Sequence, residues 1–225
     1  MINVTFFIDK IALYGFYGRD KFADMYFVQT SGGLAHFFES EESFCQLYPP
    51  ALRQLDKVHW SPLDVIRKAS AFLASEKGVK ILDIGSGIGK FCLAGSYFRP
   101  HASFFGVEQR RYLVDHAVRA AEKSGMTNVR FIHKDFTGME LTRFDHFYFY
   151  NSFFENLVES DKIDDSIAHD PGLYHYYTSY LYRELIKMPA GTKVVTYCSW
   201  NDEIPPGYQL KATSLKHLLK FWIKR

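Results

Sequence analysis

From about residue 61 onward the chain moves between two rhythms. Short unbroken apolar runs alternate with segments whose apolar residues recur every three or four positions. Runs of the first kind suit buried strands, and segments of the second kind suit helices with one covered face. The spacing of Val65, Ile66, Ala69, Phe72 and Leu73 predicts a helix, opened by Ser61 as N-cap with Pro62 at the first helical position and Asp64 in the first turn. Strand 79–84 follows, then helix 91–98, strand 102–107, helix 111–124 closed by Gly125, and strand 129–132. The alternation continues through strand 146–150, helix 174–187 and strand 192–197. Such a succession predicts a parallel sheet with helices on both faces. Residues 208–212 and 218–223 lie too close together for an intervening helix, so they predict a hairpin that places one antiparallel strand in the sheet. The expected fold class is α/β, a doubly wound and mostly parallel seven-stranded sheet with a C-terminal antiparallel hairpin.

Residues 1–60 keep neither rhythm. They are rich in rings (Phe6, Phe7, Tyr14, Phe16, Tyr17, Phe22, Tyr26, Phe27, Phe37 and Phe38) and carry a turn signal at Ser31-Gly32-Gly33. Two readings stand side by side: the rings complete the core, or the segment is an aromatic-rich cap over a ligand. Tyr48-Pro49-Pro50 is the best candidate boundary, and the expected organisation is an N-terminal cap over 1–58 and a main domain over 59–225.

Composition narrows the field. A chain of 225 residues with 47% apolar content buries a core large enough for an enzyme, and a net charge of +2 gives no general polyanion or nucleic-acid signal. Lys211, Lys216, Lys220, Lys224 and Arg225 make only a modest basic tail. The three cysteines, Cys45, Cys92 and Cys198, form neither a disulfide framework nor a metal knuckle, which points to a reducing cytoplasm. No signal peptide or membrane-length apolar run is visible.

The densest chemistry lies in ILDIGSGIGKF, residues 81–91, where a strand runs into three glycines within five positions. In an open parallel sheet, ligands bind beyond the carboxyl ends of the strands. The dinucleotide pattern G-x-G-x-x-G fails, because Lys90 stands where its third glycine belongs, and the phosphate loop fails because Phe91 follows Lys90. Asp83 would repel a pyrophosphate, so the loop suits a ligand without phosphates. That carboxylate either orders the loop or approaches a cationic amino group.

Asp83-Ile84-Gly85-Ser86-Gly87-Ile88-Gly89 resembles the first motif of class I methyltransferases that use S-adenosyl-L-methionine. Glu108 after the second strand, Asp135-Phe136 after the third and Asn151 after the fourth extend the resemblance over residues 61–225. It implies a Rossmann-like methyltransferase domain in which the glycine loop lies under the methionine part of the cofactor. It also implies that Glu108 holds the ribose hydroxyls and that Asp135 meets the adenine amino group. A carboxylate with two acceptor oxygens suits paired hydroxyls. The resemblance assigns cofactor contacts to Asp83, Gly85, Ser86, Gly87, Glu108, Gln109, Asp135, Phe136 and Asn151, and assigns catalytic positions to Asn151 and Phe153. It implies no metal. Trp60 and Ser61 are either part of helix capping or a closure over the cofactor.

Tyr150-Asn151-Ser152-Phe153-Phe154 is similar to the Asn-Asn-Phe-Ala-Phe segment of the disruptor-of-telomeric-silencing family of lysine methyltransferases. The chain departs from that family at Ser152 and lacks its basic nucleosome-binding extension. The implied acceptor is a nucleophile such as a lysine amine on a basic protein. A small molecule, or a scaffold that binds cofactor without turnover, is the alternative. Phe153 and Phe154 either wall the acceptor channel or pack in the core. Glu155, Glu159, Asp161, Asp164, Asp165 and Asp170 against Lys162 form either a solvated acidic loop or a lure for a cationic substrate. Nothing fixes His169 and Asp170 to a metal geometry.

Overall fold

The computed structural model of the chain describes residues 34–158 and 162–225; the aromatics expected between residues 6 and 27 and the glycine turn at 31–33 lie outside them. A single 3-10 turn, Leu34–Phe38, leads into α1 (Glu41–Cys45), α2 (Pro50–Arg53) and α3 (Asp56–His59). The regular alternation then runs α4 (Leu63–Leu73), β1 (Lys80–Ile84), α5 (Lys90–Phe98), β2 (Ser103–Glu108), α6 (Arg111–Ser124), β3 (Val129–His133) and β4 (His146–Tyr150). It closes with α7 (Pro171–Lys187), β5 (Lys193–Tyr197), β6 (Tyr208–Ser214) and β7 (Leu219–Lys224).

The strands form one seven-stranded sheet in the order β3-β2-β1-β4-β5-β7-β6. All neighbours pair in parallel from β3 to β5, and β7 alone runs against both of its neighbours. The hairpin thus contributes one reversed strand, as its spacing predicts. Strand order reverses direction between β1 and β4, whose register pairs Ile84 with Phe149. A parallel sheet puts every carboxyl end on one edge, and the reversal opens a crevice there.

Alternate residues of each strand feed two cores, as the two-residue period of a strand requires. On one face Ile81, Phe104, Tyr148 and Val195 pack with Val65, Ile66, Leu93 and Leu113 of α4, α5 and α6. On the other, Leu82, Ile84, Val107, Phe147 and Val194 pack with Tyr177, Leu181 and Leu185 of α7. A buried ring pair, Phe91 over Tyr148 at 3.8 Å and 1°, pins α5 to β4.

Three local expectations are corrected. Ser61 does not cap α4: the N-cap is Pro62, and the Ser61 hydroxyl instead lies 2.7 Å from the Tyr148 hydroxyl in the core. The first amide of α4, that of Leu63, has no partner within the helix and instead donates to Glu41 Oε1 at 2.6 Å. Helix α7 starts earlier than residue 174, with Asp170 as N-cap accepting from the Gly172 amide and Pro171 at the first position. Finally, Tyr48-Pro49-Pro50 does not interrupt packing, because Phe38, Phe44, Tyr48, Leu52 and Trp60 join the same core cluster as the sheet. Residues 34–58 of the expected cap therefore share the main core. Among the described residues no helix is long and apolar enough to cross a membrane.

Candidate active site

The glycine loop turns because three of its residues occupy left-handed backbone: Gly85, Gly87 and Gly89 have φ of 72°, 52° and 83°. Their bareness serves different ends. A Cβ on Gly85 would sit 2.4 Å from Ser152 Cβ, and one on Gly89 2.4 Å from the Phe131 ring, so these two allow close packing. Among the described residues, a Cβ on Gly87 would meet nothing within 4 Å. Its bare side faces open space. Ser152 completes the junction by donating to the Ile84 carbonyl at 2.6 Å, which ties the end of β4 to the end of β1.

A cavity of about 290 Å³ opens at this junction. Every residue assigned by the methyltransferase resemblance lines it: Asp83, Gly85, Ser86, Gly87, Glu108, Gln109, Asp135, Phe136, Asn151 and Phe153. Chain positions 70 residues apart converge because each follows a parallel strand. Val58, His59, Trp60 and Ser61 from the N-terminal segment close another side. That segment is fastened to the site by Tyr48, whose hydroxyl donates to the Ile88 carbonyl at 2.8 Å, and by Tyr150, whose hydroxyl donates to the Val58 carbonyl at 2.7 Å.

Glu108 is buried beside the loop. Its Oε2 accepts the Gly87 amide at 3.1 Å and its Oε1 accepts the Arg110 amide at 2.8 Å. Burial raises its pKa even though these amides and the Arg110 charge oppose the shift. Asp83 is also buried, and burial followed by the nearby Glu108 charge pushes it well above the usual carboxylate range. Its hydrogen bond among the described residues comes from the Cys92 thiol at 3.9 Å. Asp83 lines the cavity.

Asp135 accepts both the amide and the hydroxyl of Thr137 at 2.9 Å, capping the turn Phe136–Gly138, and accepts the Tyr177 hydroxyl at 3.0 Å. Burial and the Asp135 carboxylate push the Tyr177 hydroxyl up to about 12, so it remains a donor at neutral pH. Phe136 stacks on Phe153 at 5.1 Å, and Tyr177 tilts against both. The two alternatives for Phe153 therefore coexist: it is buried in the second core and it walls the cavity. Asn151 carries a left-handed φ of 42°, unusual for a residue other than glycine, at the turn out of β4.

Several residues of this site carry no sequence signal. Lys90 is buried, pairs with Glu41, and lies 5.3 Å from the Phe44 ring and 5.6 Å from the Trp60 ring. Arg110 is 3% exposed and forks onto Glu155 at 2.9 and 2.8 Å, while its Nε donates to Asp164 at 3.1 Å. These contacts span 45 and 54 positions of sequence, which no local pattern reports. Among the described residues no group of three or more His, Cys, Asp or Glu side chains could hold a metal ion.

A Rossmann-like sheet with a glycine loop, a buried acid at the end of the second strand and a cavity at the strand reversal defines a class I methyltransferase fold. The family model described as "Methyltransferase domain" matches residues 75–216. The chain belongs to that family and is an S-adenosylmethionine-dependent methyltransferase. No curated protein matches the sequence. Its fold is similar to that of an RNA methyltransferase from Salinibacter ruber solved with S-adenosyl-L-homocysteine, at 17% identity and TM-score 0.51 over 73% of this chain and 93% of that one. It is likewise similar to MtNAS solved with MTA and tNA, at 15% identity and TM-score 0.51 over 85% of this chain and 68% of that one. At these identities the likeness is one of fold.

Proposed function

We propose that the cavity holds S-adenosyl-L-methionine with its methionine part over Gly85–Gly87, its ribose on Glu108 and its adenine beside Asp135 and Phe136, and directs the methyl group past Asn151. The observation that carries this reading is the convergence of all the assigned residues on one cavity at the strand reversal. The donor set fits the group. Among the described residues, Gly87 leaves open space where a side chain would stand, and the buried Ser86 hydroxyl has no hydrogen-bond partner. Asp83 is a buried carboxylate suited to a cationic amino group. Bound S-adenosylmethionine supplies an electrophilic methyl group on a sulfonium. The chain's own contribution is alignment and exclusion of water, effects that reach roughly 7 to 11 kcal/mol in favourable systems.

For the acceptor we favour a small nucleophile with an apolar body. The cavity wall on the β4 side includes Tyr150, Phe153, Phe154 and Val58, with Asn151, Ser152, Glu155 and Asn156 as polar groups. The case for a basic protein rests on the Asn151 segment and on the acidic run. Among the described residues, Glu155 and Asp164 pair with Arg110 and Asp170 caps α7, which withdraws these three carboxylates from the support for a cationic acceptor. A lysine acceptor, and the local resemblance that suggested it, therefore draws its remaining support chiefly from the Asn151 segment.

Incubation with methyl-labelled S-adenosylmethionine and fractionated cell extract tests the reading. Label is expected in the small-molecule fraction. Label in protein would restore the lysine reading, and label in no fraction with cofactor still bound would favour a binding protein without turnover.

A further inference from the structure

The chain leaves β5 at Tyr197 and turns at once through two residues in left-handed backbone, Cys198 at φ 52° and Asn201 at φ 71°. Neither is a glycine, and such backbone persists only where its surroundings hold it. Those surroundings are hydrogen bonds. The Cys198 amide donates to the Leu218 carbonyl at 2.9 Å, the Asn201 amide donates to Ser199 Oγ at 2.9 Å, and Ser199 Oγ donates to the buried Glu203 carboxylate at 2.5 Å. Thr196 Oγ1 donates to Asn201 Oδ1 and accepts from Trp222 Nε1, both at 3.1 Å, which ties the turn back to β5 and β7. What the braced turn presents is Trp200. This residue is 61% exposed, yet its ring stands 5.7 Å from that of Phe154 at 88° and 5.9 Å from that of Tyr174 at 67°.

A single apolar ring at the surface is ordinary. This one adjoins the cavity, because Cys198, two residues before it, and Phe154, the ring it leans on, both line the space that Asn151 and Phe153 line. We propose that Trp200 is a specificity-determining residue that receives the planar, aromatic body of the methyl acceptor, with Phe154 as the wall it shares with the cavity. This deepens the reading of the cavity as a cofactor site with a small apolar acceptor, and rests on it. Tryptophan offers a broad flat surface with only two side-chain torsions to freeze, and the turn beneath it is already fixed, so little ordering remains to oppose binding. A planar ring can meet such a surface in the offset or edge-on contacts that aromatic pairs favour, and a saturated ring of the same size cannot. The acceptor's nucleophilic atom then lies inside, on the Asn151 side, while its ring extends along Phe154 to Trp200.

Titration calorimetry of the protein saturated with S-adenosylhomocysteine tests this with two probes of like size, naphthol and its fully saturated counterpart, decahydronaphthol. The parent is expected to bind naphthol about fivefold more tightly. Trp200→Ala should abolish that preference and Trp200→Phe should keep most of it, while both variants bind S-adenosylhomocysteine as the parent does. A preference that persists in Trp200→Ala, or a parent that binds the two probes alike or binds neither, overturns the assignment and leaves the cofactor reading standing. If the parent binds no S-adenosylhomocysteine, the cofactor reading falls and this inference falls with it.

Discussion

The two glycines of the loop that differ most in surroundings make the sharpest prediction. Gly85 and Gly87 both hold left-handed backbone, at φ 72° and 52°, so an alanine at either position carries a conformational cost of about 1–2 kcal/mol. At Gly85 the new methyl would also lie 2.4 Å from Ser152 Cβ and 2.6 Å from its hydroxyl. Relieving that overlap costs a further ~1–3 kcal/mol. At Gly87 there is no overlap. Gly85→Ala should therefore lose about 2–5 kcal/mol, a fall in melting temperature on the order of 10 °C, and Gly87→Ala only about 1–2 kcal/mol, a fall on the order of 5 °C. Ligand binding should show the reverse emphasis. The Gly87 methyl would project into the space assigned to the cofactor and should weaken S-adenosylhomocysteine by more than tenfold, about 1.4 kcal/mol. Differential scanning calorimetry and titration calorimetry on the two variants decide it. Adding Ser152→Gly should return part of the Gly85→Ala loss and none of the Gly87→Ala loss. Equal melting temperatures for the two alanine variants, or parental affinity in Gly87→Ala, would refute this account of the loop.

Other expectations follow from single contacts. Glu108→Ala should weaken S-adenosylhomocysteine by more than tenfold, or about 1.4 kcal/mol by calorimetry, and an unchanged affinity would remove the ribose assignment. Asp83 has a raised pKa in the folded chain, so the folded state holds a proton that the unfolded state releases, and the stability it gives at low pH is lost as pH rises through the folded value. Asp83→Asn should accordingly raise the melting temperature at pH 8, with a gain that shrinks towards pH 4, and should weaken ligand binding. A gain independent of pH would contradict the assignment. Lys224 donates to the carbonyls of Leu185, Ile186 and Met188 at the end of α7, so Lys224→Met should cost about 0.3–1 kcal/mol in chemical denaturation. No loss would mean that the last turn of α7 needs no cap.

Much of the fold was legible because its signals are local. Apolar runs mark β1, β2 and β4, Gly125 closes α6 in left-handed backbone, and the short gap between β6 and β7 leaves a hairpin as the fitting connection. The strand-end residues were legible too, since a parallel sheet carries them to one edge without further information. What escaped was chosen by tertiary partners. Ser61 has the chemistry of a cap, but the Tyr148 hydroxyl competes for it across 87 positions. Asp170-Pro171-Gly172 spells a helix start, whereas the apolar rhythm alone points to one at Tyr174. The acidic run reads as a solvated or attracting loop until Arg110, far away in sequence, is found buried among its carboxylates. Charge in a sequence has a sign but no address.

The position of β7 sets an order of events for assembly. β5 ends at Tyr197 and β6 begins soon after, yet the strand beside β5 is β7, and β6 pairs only with β7. A chain folding from its N-terminus can zip β3, β2, β1, β4 and β5 by successive crossovers, but β5 then keeps a bare edge until residues 219–224 arrive. The hairpin has to dock by its far strand, skipping over the near one. Loss of that one strand would strand β6 as well, so the sheet would shed two strands at once and present the amides and carbonyls of β5 to any other extended chain. The residues farthest from the glycine loop in sequence are therefore the ones that decide whether the half-built sheet stays single.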